Sequence, residues 1–541
     1  MQRSYIGIAG DCGHNSAVAV LGSDGVRYAE AEERLSRIKG EGRFPVHALK
    51  CAKNFLRPNE EAVLCFVGKY TLEACQPNGS DDRGWRDAKW TEEVSKLTKD
   101  SSEFYLVEHH VAHAYSAHFL SGGGNGLCIS ADGQGDGVAF FVGCFTATGN
   151  LEELHSTKCS VGSLGYYYAA VTRYLGFRTL CDEGKVMALA GHGCRESQLS
   201  ALFEQILSVS SKGEILVNSN LIRQYTEEGP FWTRRFDEAC QNYAPAMVAH
   251  AAQRRLNEVV CEVLKYWLRR TGERRVLAAG GIFANVSLNR QIQELSEVDK
   301  LFITPCMSDE GTAIGAAVAV SFSKGEFPEI PTGHGAKMSL GSCCEVRPED
   351  INNVAVVTEG DGVEDVVAEL LAQKAVVARV VGRMEFGPRA LGNRSILCHA
   401  SDKDTIFWLN NMLGRSNLMP FAPAILSEQV RDYVIVPVST AENLAHMTTS
   451  VVGTLRLKNE CPGVVHIDGT VRPYVVTRVE NPGLHRILFN YGKRTGTPVI
   501  INTSFNLHGS PIVNDAVTAI QTCMKSGIPY LQLDRTLMRI V

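Results

Sequence analysis

The sequence predicts an α/β and α+β protein built from two unlike parts, and three observations support this. Two short strand pairs with tips rich in glycine and aspartate lie about one subdomain apart, which suggests an internal duplication. A later strand runs into a double glycine and a helix start, as in α/β proteins. The pattern changes after a connector at residues 323–341 that contains prolines and glycines. The 541 residues fit about two to four domains, and we place the boundary between residues 1–340 and 341–541.

The composition is that of an ordinary soluble globular protein, with 45% hydrophobic and 21% charged residues. No stretch approaches the length of a membrane span, and the N-terminus lacks the apolar segment of a secretory signal. The 17 cysteines are scattered and odd in number, so we interpret them as reduced residues of a cytoplasmic protein. A net charge of -5 gives no support for nucleic-acid binding without excluding it.

The two hairpin tips are the first candidate ligand sites. Residues 5–9 and 16–21 form the strands of the first pair, and its tip contains Asp11 and His14. Residues 127–131 and 138–143 form the second pair, whose tip contains Asp132, Gly133, Gly135 and Asp136. Small residues let the backbone approach a ligand, and successive amides bind anions. We expect the tips to face one another across a cleft that suits a nucleotide's phosphates.

A histidine pair is the strongest single signal. His109 and His113 stand four residues apart before a predicted helical run at 114–120, so both can lie on one helix face and bind one metal ion. The alternative is a helix face with ordinary polar contacts. Asp309, just before a small-residue helix at 312–320, can cap that helix or act as a third metal ligand.

Two charged segments allow two interpretations each. Residues 29–39 contain Arg34, Arg37 and Lys39, which form either a cationic edge or simply a solvated helix face. Lys185, in the segment Asp-Glu-Gly-Lys, belongs to a capped helix or points at a ligand.

The strand at 275–279 leads into a turn typical of nucleotide contact. The turn contains Gly280 and Gly281, and Asn285 and Asn289 follow. Backbone amides and a helix N-terminus can meet a phosphate or ribose in this geometry, although a tight turn without a ligand has the same pattern.

The C-terminal part is rich in arginines that stand among turn residues. Guanidinium groups pair bidentately with phosphate or carboxylate. No pair of nucleophile and general base stands out, so this inventory favours positioning of a small phosphorylated substrate. The candidate residues are Arg383, Arg389, Arg394, Arg415, Arg472 and Ser504.

Taken together, these motifs resemble a known family. The hairpins, the His-x-x-x-His pair, Gly-Gly-x-x-x-Asn and the Asp309 segment are similar to the actin-like ATPase (ASKHA) domain of the threonylcarbamoyl-adenosine tRNA-modification enzymes. Four further motifs make the resemblance specific to the NodU/CmcH O-carbamoyltransferases: Glu-Glu-Arg-x-x-Arg-x-Lys, Asp-Glu-Gly-Lys, Glu-Phe-Gly-Pro-Arg-Ala-Leu-Gly-Asn-Arg-Ser and Asn-Thr-Ser-Phe-Asn. The resemblance implies a duplicated actin-like ATPase domain at 1–340 and a YrdC-like twisted-sheet domain at 341–541.

The resemblance also implies a reaction and roles for residues. Carbamoyl phosphate and ATP, with Mg²⁺, would give carbamoyl-adenylate, and the carbamoyl group would pass to a hydroxylated acceptor; a homodimer is compatible with the family. Fe(II) or another divalent metal would bind His109, His113 and Asp309, with His14 as general base and Lys39 near the intermediate. The nucleotide would contact Asp11, Asp132, Gly133, Gly135, Asp136, Lys185, Gly280, Gly281, Asn285 and Asn289. Carbamoyl phosphate would contact Arg389, Arg394, Arg415, Arg472 and Ser504.

The chain departs from the family at its carbamoyl phosphate motif. Leu413 and Met419 stand where many relatives have cations, and Tyr474 stands where they often have glutamine. Losing a charged partner of a buried phosphate costs a few kcal/mol. Either Arg383, Arg394 or Arg415 substitutes for the missing charges, or the site is weaker.

Two other functions stay open at this point. The chain can be a tRNA threonylcarbamoyl-type transferase, or a catalytically inactive nucleotide-binding regulator. The acceptor is open as well, and a small molecule, a hydroxymethylated nucleotide and DNA are all compatible with the sequence.

Overall fold

The computed structural model describes residues 2–10, 14–68, 103–223, 231–331, 337–344, 354–416, 418, 421–437 and 441–541. Asp11 and Met419, two residues of the predicted sites, lie outside this described part. Helices and strands are mixed throughout, so the α/β character that the sequence predicts is confirmed.

The strands are short and are numbered here in chain order. They are β1 Gln2–Ala9, β2 Ala17–Gly22, β3 Gly25–Ala31, β4 Glu60–Val67, β5 Glu103–Val107, β6 Gly126–Gly135, β7 Val138–Phe145, β8 Leu151–Lys158, β9 Leu207–Val209, β10 Ile215–Val217, β11 Ile222–Arg223, β12 Phe231–Trp232, β13 Arg275–Ala279, β14 Lys300–Ile303, β15 Ser339–Cys343, β16 Val354–Glu359, β17 Val377–Val380, β18 Arg383–Glu385, β19 Arg394–His399, β20 Ala422–Leu426, β21 Val451–Val452, β22 Thr470–Val471, β23 Tyr474–Val476, β24 Val499–Ser504, β25 Tyr530–Leu533 and β26 Thr536–Ile540.

The helices are numbered in the same way. They are α1 Glu32–Ser36, α2 Val46–Ala52, α3 His109–Leu120, α4 Leu164–Tyr174, α5 Glu183–Ala190, α6 Ser197–Ile206, α7 Arg234–Cys240, α8 Pro245–Thr271, α9 Val286–Gln293, α10 Thr312–Ser323, α11 Val363–Ala372, α12 Asp404–Met412, α13 Val430–Tyr433, α14 Ala441–Ala445, α15 Leu455–Glu460, α16 Pro482–Thr495 and α17 Ala516–Ser526. Short 3-10 turns at Gly281–Ala284 and Asp309–Gly311 precede α9 and α10. Among the described residues, no helix has the combined length and apolar character that crossing a bilayer requires.

Two five-stranded sheets share one topology. The first has the order β3-β2-β1-β4-β5, and the second has the order β8-β7-β6-β13-β14. In each sheet the first three strands pair antiparallel with one another. The fourth strand pairs parallel with the third, and the fifth pairs parallel with the fourth. The predicted hairpins are β1-β2 and β6-β7, so each sheet places one hairpin at its centre.

The C-terminal part forms a mixed eight-stranded sheet. Its order is β16-β26-β25-β17-β19-β24-β20-β23, with α11 and α16 packed together on it. Helix α16 begins with a proline after the Asn481 cap and ends at Gly496, which has a positive φ of 81°. Both are ordinary helix boundaries.

Helix α10 is the centre of the N-terminal core. Its sequence is small and apolar on every side, and residues 312–321 are all buried, as expected for a helix that is surrounded by protein. It packs between the first sheet and helix α3, where Gly315 lies so close that a Cβ there would be 1.7 Å from the Ala112 carbonyl oxygen. This contact sets the distance between α3 and the turn that precedes α10.

A buried polar seam joins the two parts of the chain. The Asn443 side chain accepts from the Ile303 amide and donates to the Leu301 carbonyl, at distances of 2.9 Å, along strand β14. Asn289 Nδ2 donates to the Thr448 carbonyl at 2.7 Å, and Gln293 Nε2 donates to the Ser450 carbonyl at 3.2 Å. The segment that follows Asn443 therefore lies against both the second sheet and helix α9.

We expect Gly315→Ala to destabilise the protein, because the added methyl group must separate α3 from α10. Overpacking of this kind costs about 1–3 kcal/mol of unfolding free energy. Urea unfolding followed by circular dichroism measures the loss. Gly362→Ala is the matched control, because Gly362 has φ -95° and a Cβ there meets nothing within 4 Å. Equal urea midpoints of unfolding for the two variants would contradict a close contact between α3 and α10 at Gly315.

Candidate active site

Helix α3 presents two buried histidines to two aspartates. His109 and His113 are 2% and 1% exposed. The helix begins at His109, five residues earlier than the predicted run, because the Asp136 carboxylate accepts the His109 amide at 3.0 Å. His113 Nε2 lies 3.2 Å from Asp132 Oδ2 and 3.6 Å from Asp309 Oδ1. One ligand atom from each of the four side chains falls within 4.8 Å of the others.

The two acidic groups control the protonation of this cluster. Burial alone would lower the pKa of His113, but the neighbouring carboxylates of Asp132 and Asp309 raise it to about 9. Burial raises the pKa of Asp132, yet the two histidines hold it well below its usual value. The carboxylates of Asp132 and Asp309 thus stabilise positive charge at the cluster. A divalent cation needs an electrostatic environment of this kind.

The donor set fits a metal ion. His109 Nε2, His113 Nε2 and Asp309 Oδ1 are buried and make no hydrogen bond to any other described residue. A divalent cation coordinated by two imidazole nitrogens and two carboxylate oxygens would satisfy all three atoms, and first-row transition metals suit such ligands. Asp132 was predicted as a nucleotide contact, and its place beside His113 adds it to the predicted metal ligands.

His110 has a different role. Burial and the neighbouring histidines lower its pKa to about 3, so its ring is neutral. The ring nitrogens lie 2.8 Å from Ser130 Oγ and 3.0 Å from the Val138 carbonyl oxygen. His110 therefore anchors α3 to strands β6 and β7.

His14 lies on the other side of the cluster. Its Nδ1 is 3.4 Å from Asp309 Oδ2, and Asn15 beside it donates to Ser308 Oγ at 3.0 Å. Burial lowers the pKa of His14, but the charges of Asp309, Asp132 and Glu310 raise it overall. Burial also raises the pKa of Glu310 to about 7. The predicted base and the predicted metal ligands thus share one site.

The structure brings several of the predicted nucleotide residues to this cluster. Gly135 lies against the His109 ring, and Gly133 lies against Tyr166. The Gly281 amide donates to Asp132 Oδ2 at 3.0 Å, and Gly280 precedes it at the end of β13. The two glycine turns therefore meet at Asp132.

Other predicted nucleotide residues have protein partners. Asn285 caps helix α9, and its Nδ2 donates to Gln253 Oε1 at 2.8 Å. Asn289 is fully buried and donates to the carbonyls of Phe283 and Thr448. Lys185 forms an ion pair of 2.9 Å with Asp182. Gln253 lies in the long helix α8, whose pattern gave no sign of this contact.

A second candidate site is a cavity of about 120 Å³ in the C-terminal part. The predicted Arg389, Arg415, Arg472 and Ser504 line it, together with residues that the prediction left out, including Phe421, Met447 and Thr503. Arg415 Nη1 donates to Thr503 Oγ1 at 2.8 Å, and Arg389 Nη2 donates to the Ala284 carbonyl at 3.0 Å.

The three arginines of this cavity are strongly desolvated. Burial lowers the pKa of Arg389 to about 10 and also lowers that of Arg415. Burial and the charges of Arg389 and Arg415 lower the pKa of Arg472 further. No carboxylate occurs among the described residues that line the cavity. Buried cations need compensation, so the cavity fits an anion with several oxygen atoms.

Two of the three proposed substitutes for the missing cations lie elsewhere. Arg394 is fully buried and donates to backbone carbonyls, including those of Val381 and Gly382. Arg383 donates to the Gly341 carbonyl at 2.8 Å. Leu413 packs in the hydrophobic core. Arg415 is the one of the three that lines the cavity.

Comparisons with known proteins agree with the two-part organisation of these sites. The family model described as carbamoyltransferase N-terminus matches residues 79–318, and the one described as carbamoyltransferase C-terminus matches residues 368–539. An uncharacterized protein of Methanocaldococcus jannaschii, MJ1051, is 30% identical over 98% of this chain and 99% of its own length. The nodulation protein NolNO of Sinorhizobium fredii is 30% identical over 97% of this chain and 79% of its own.

A solved structure offers only a distant similarity. Full-length HypF in its phosphate- and nucleotide-bound form aligns with 59% of this chain and 46% of its own at a TM-score of 0.33, with 13% identity.

We expect Asp132→Asn to weaken metal binding, because it removes one anionic ligand atom from the four-residue cluster. The affinity for Fe(II) or Zn(II), measured by calorimetry on the metal-stripped protein, should fall on the order of 10- to 100-fold. Asp136→Asn is the matched control from the same hairpin, since asparagine also caps a helix. Unchanged affinity of the Asp132 variant would exclude it as a ligand.

Proposed function

The chain belongs to the carbamoyltransferase family and is a carbamoyltransferase; from this premise we propose that it uses carbamoyl phosphate and ATP to carbamoylate a hydroxyl group through carbamoyl-adenylate. Water would hydrolyse carbamoyl phosphate to carbamate and phosphate, and a carbamate oxygen would then attack the α-phosphorus of ATP and displace pyrophosphate. The acceptor hydroxyl would then attack the carbamoyl carbon, and AMP would leave.

We assign the two halves of this reaction to two domains. Residues 1–340 would be a duplicated actin-like ATPase domain, which the shared topology of the two five-stranded sheets supports. Residues 341–541 would be a YrdC-like domain, which the single eight-stranded sheet supports. The interface between them is polar and buried along the segment that follows Asn443.

The observation that carries the proposal is the arginine-lined cavity. Arg389, Arg415 and Arg472 face one small space without a carboxylate among the described lining residues. A phosphate dianion neutralises more of this charge than any monoanion of the same size, and Ser504 can donate to it. Carbamoyl phosphate would bind there, and Arg415 would compensate for the cationic residues that Leu413 and Met419 replace.

The second step would take place at the histidine cluster. A divalent metal held by His109, His113, Asp309 and Asp132 would supply electrophilic polarisation of a bound oxygen. His14 would accept the proton of the acceptor hydroxyl, and the carboxylate of Asp309 orients its imidazole. The turns at Gly133, Gly135, Gly280 and Gly281 would contact the phosphate, with Asp136, Lys185, Asn285 and Asn289 around the nucleotide.

The acceptor is proposed as a hydroxylated small molecule or a hydroxymethylated nucleobase. Transfer of threonylcarbamoyl to tRNA is the alternative from the same N-terminal resemblance. The arginine cavity favours carbamoyl transfer, because it provides a site for carbamoyl phosphate itself.

The first test measures the first half-reaction. Wild-type protein, incubated with ATP and carbamoyl phosphate but no acceptor, should release pyrophosphate, and each substrate should be required. Arg472→Met should raise the KM for carbamoyl phosphate on the order of 100-fold, because loss of a buried charged contact costs about 1.5–3 kcal/mol. Arg535→Met is the control, since Arg535 is 70% exposed and pairs with Asp361. Pyrophosphate release that does not depend on carbamoyl phosphate would contradict the proposed site.

The second test identifies the transferred group. Mass spectrometry of hydroxylated acceptors, incubated with enzyme, ATP and carbamoyl phosphate, should show the gain of one carbamoyl group. Gain of threonylcarbamoyl on tRNA, with added threonine and bicarbonate, would support the alternative. His14→Ala should abolish transfer to the acceptor and leave pyrophosphate release intact, because the base acts after adenylate formation.

A further inference from the structure

Glu33 is a buried carboxylate that the proposed reaction leaves unused. It lies in helix α1 and is 4% exposed, so the solvated helix face, one of the two interpretations of residues 29–39, does not hold for this residue. Its carboxylate oxygens lie 3.0 Å from Lys39 Nζ, 2.9 Å from Arg34 Nη1 and 2.8 Å from the Gly40 amide. One carboxylate therefore holds two cations and the backbone beside Lys39.

Arg34 carries this arrangement to the C-terminal part of the chain. Its guanidinium is buried, and Nη2 donates to the Gly387 carbonyl at 3.0 Å. Gly387 has φ +115° and packs against the Pro305 carbonyl, where a Cβ would lie 3.0 Å away. Two residues later, Arg389 enters the arginine-lined cavity. The turn that Arg34 holds is thus the wall of one site.

The same turn also touches the approach to the other site. Pro305 and Cys306, which pack on Gly387, lie four and three residues before Asp309 of the histidine cluster. Lys39 is connected to both sites through one series of contacts. Ion pairs join Lys39 to Glu33 and Glu33 to Arg34, and Arg34 donates a hydrogen bond to the Gly387 carbonyl. Lys39 itself is 49% exposed, so this series of contacts is what fixes its ammonium group.

We propose that Glu33 is a positioning residue that holds the Lys39 ammonium group in a fixed place relative to the arginine-lined cavity and the histidine cluster. The inference rests on the proposed function, to which we add the position near the carbamoyl-adenylate that the family resemblance implies for Lys39. Glu33 touches no substrate; it acts through Lys39, and Arg34 anchors Glu33 to the turn at Gly387. A buried ion pair is weak evidence of a stabilising role, since apolar packing can be as stable, whereas it does fix the geometry of the groups it joins.

The test is a double-variant cycle on pyrophosphate release. Glu33→Gln keeps the shape and the acceptor for the Gly40 amide but removes the charge that holds Lys39. We expect kcat to fall about tenfold or more with the KM for ATP unchanged, and Lys39→Met to cause a loss at least as large. The double variant should be no slower than Lys39→Met alone, because Glu33 acts through Lys39.

The proposal would be overturned if the fold-loss of kcat in the double variant equalled the product of the two single-variant losses. It would also be overturned if either single variant kept the wild-type kcat. Glu41→Gln is the matched control, because Glu41 is a buried glutamate of the same segment that binds Arg43 instead. Its kcat should equal that of the wild type. If Glu33→Gln does not fold, Glu33→Asp replaces it in the double-variant cycle. The loss of kcat should then be smaller, and it should again disappear when Glu33→Asp is combined with Lys39→Met.

The outcome for the wild type separates this proposal from the proposed function. Absence of carbamoyl-phosphate-dependent pyrophosphate release in the wild type would overturn the proposed function, and this inference with it. Normal release in the wild type, with independent effects of Glu33 and Lys39, would overturn the positioning role alone. Metal affinity provides the remaining readout: it should be the same in Glu33→Gln and in the wild type, and a loss would assign Glu33 a structural effect on the histidine cluster instead.

Discussion

The close contact between helices α3 and α10 is the constraint on which the site depends. The histidines lie on α3, and Asp309 lies in the turn that leads into α10. A bulkier residue than Gly315 would separate the two helices and with them the ligand atoms, which now fall within 4.8 Å of one another. The small residues of α10 thus set the geometry of the histidine cluster, because the positions of its side chains follow the spacing of the two backbones.

Two concentrations of buried charge of opposite sign dominate the molecule. The histidine cluster places the carboxylates of Asp132 and Asp309 beside two imidazoles, and the C-terminal cavity gathers three guanidinium groups with no carboxylate among its described lining residues. Charge buried in this way destabilises the folded protein unless a counter-charge arrives. Ligands of the right sign therefore stabilise the fold as they bind, since anything that binds only the folded state raises its stability. A cation at one site and a phosphate dianion at the other have the charges that the geometry requires.

The sequence predicted local features well and long-range partnerships poorly. The hairpins, the strand that leads into Gly280 and the helix that carries His109 and His113 follow from periodicity over a few residues, and the structure confirms these elements. The position of Asp132 beside His113 and the hydrogen bonds of Arg394 to backbone carbonyls depend instead on which strands become neighbours in a sheet. Arg34 of helix α1 donates to the Gly387 carbonyl, which lies 353 residues later in the chain. No local pattern records such contacts.

Strand β14 is the last strand of the second sheet, and its outer edge is where the two parts of the chain meet. The Asn443 amide gives this edge one donor and one acceptor, the same pair of bonds that a neighbouring strand would give. Unpaired strand edges promote association between protein molecules. The C-terminal part thus covers this strand edge, and the contact that joins the two parts also pairs backbone groups of β14 that would otherwise lie at the end of the sheet.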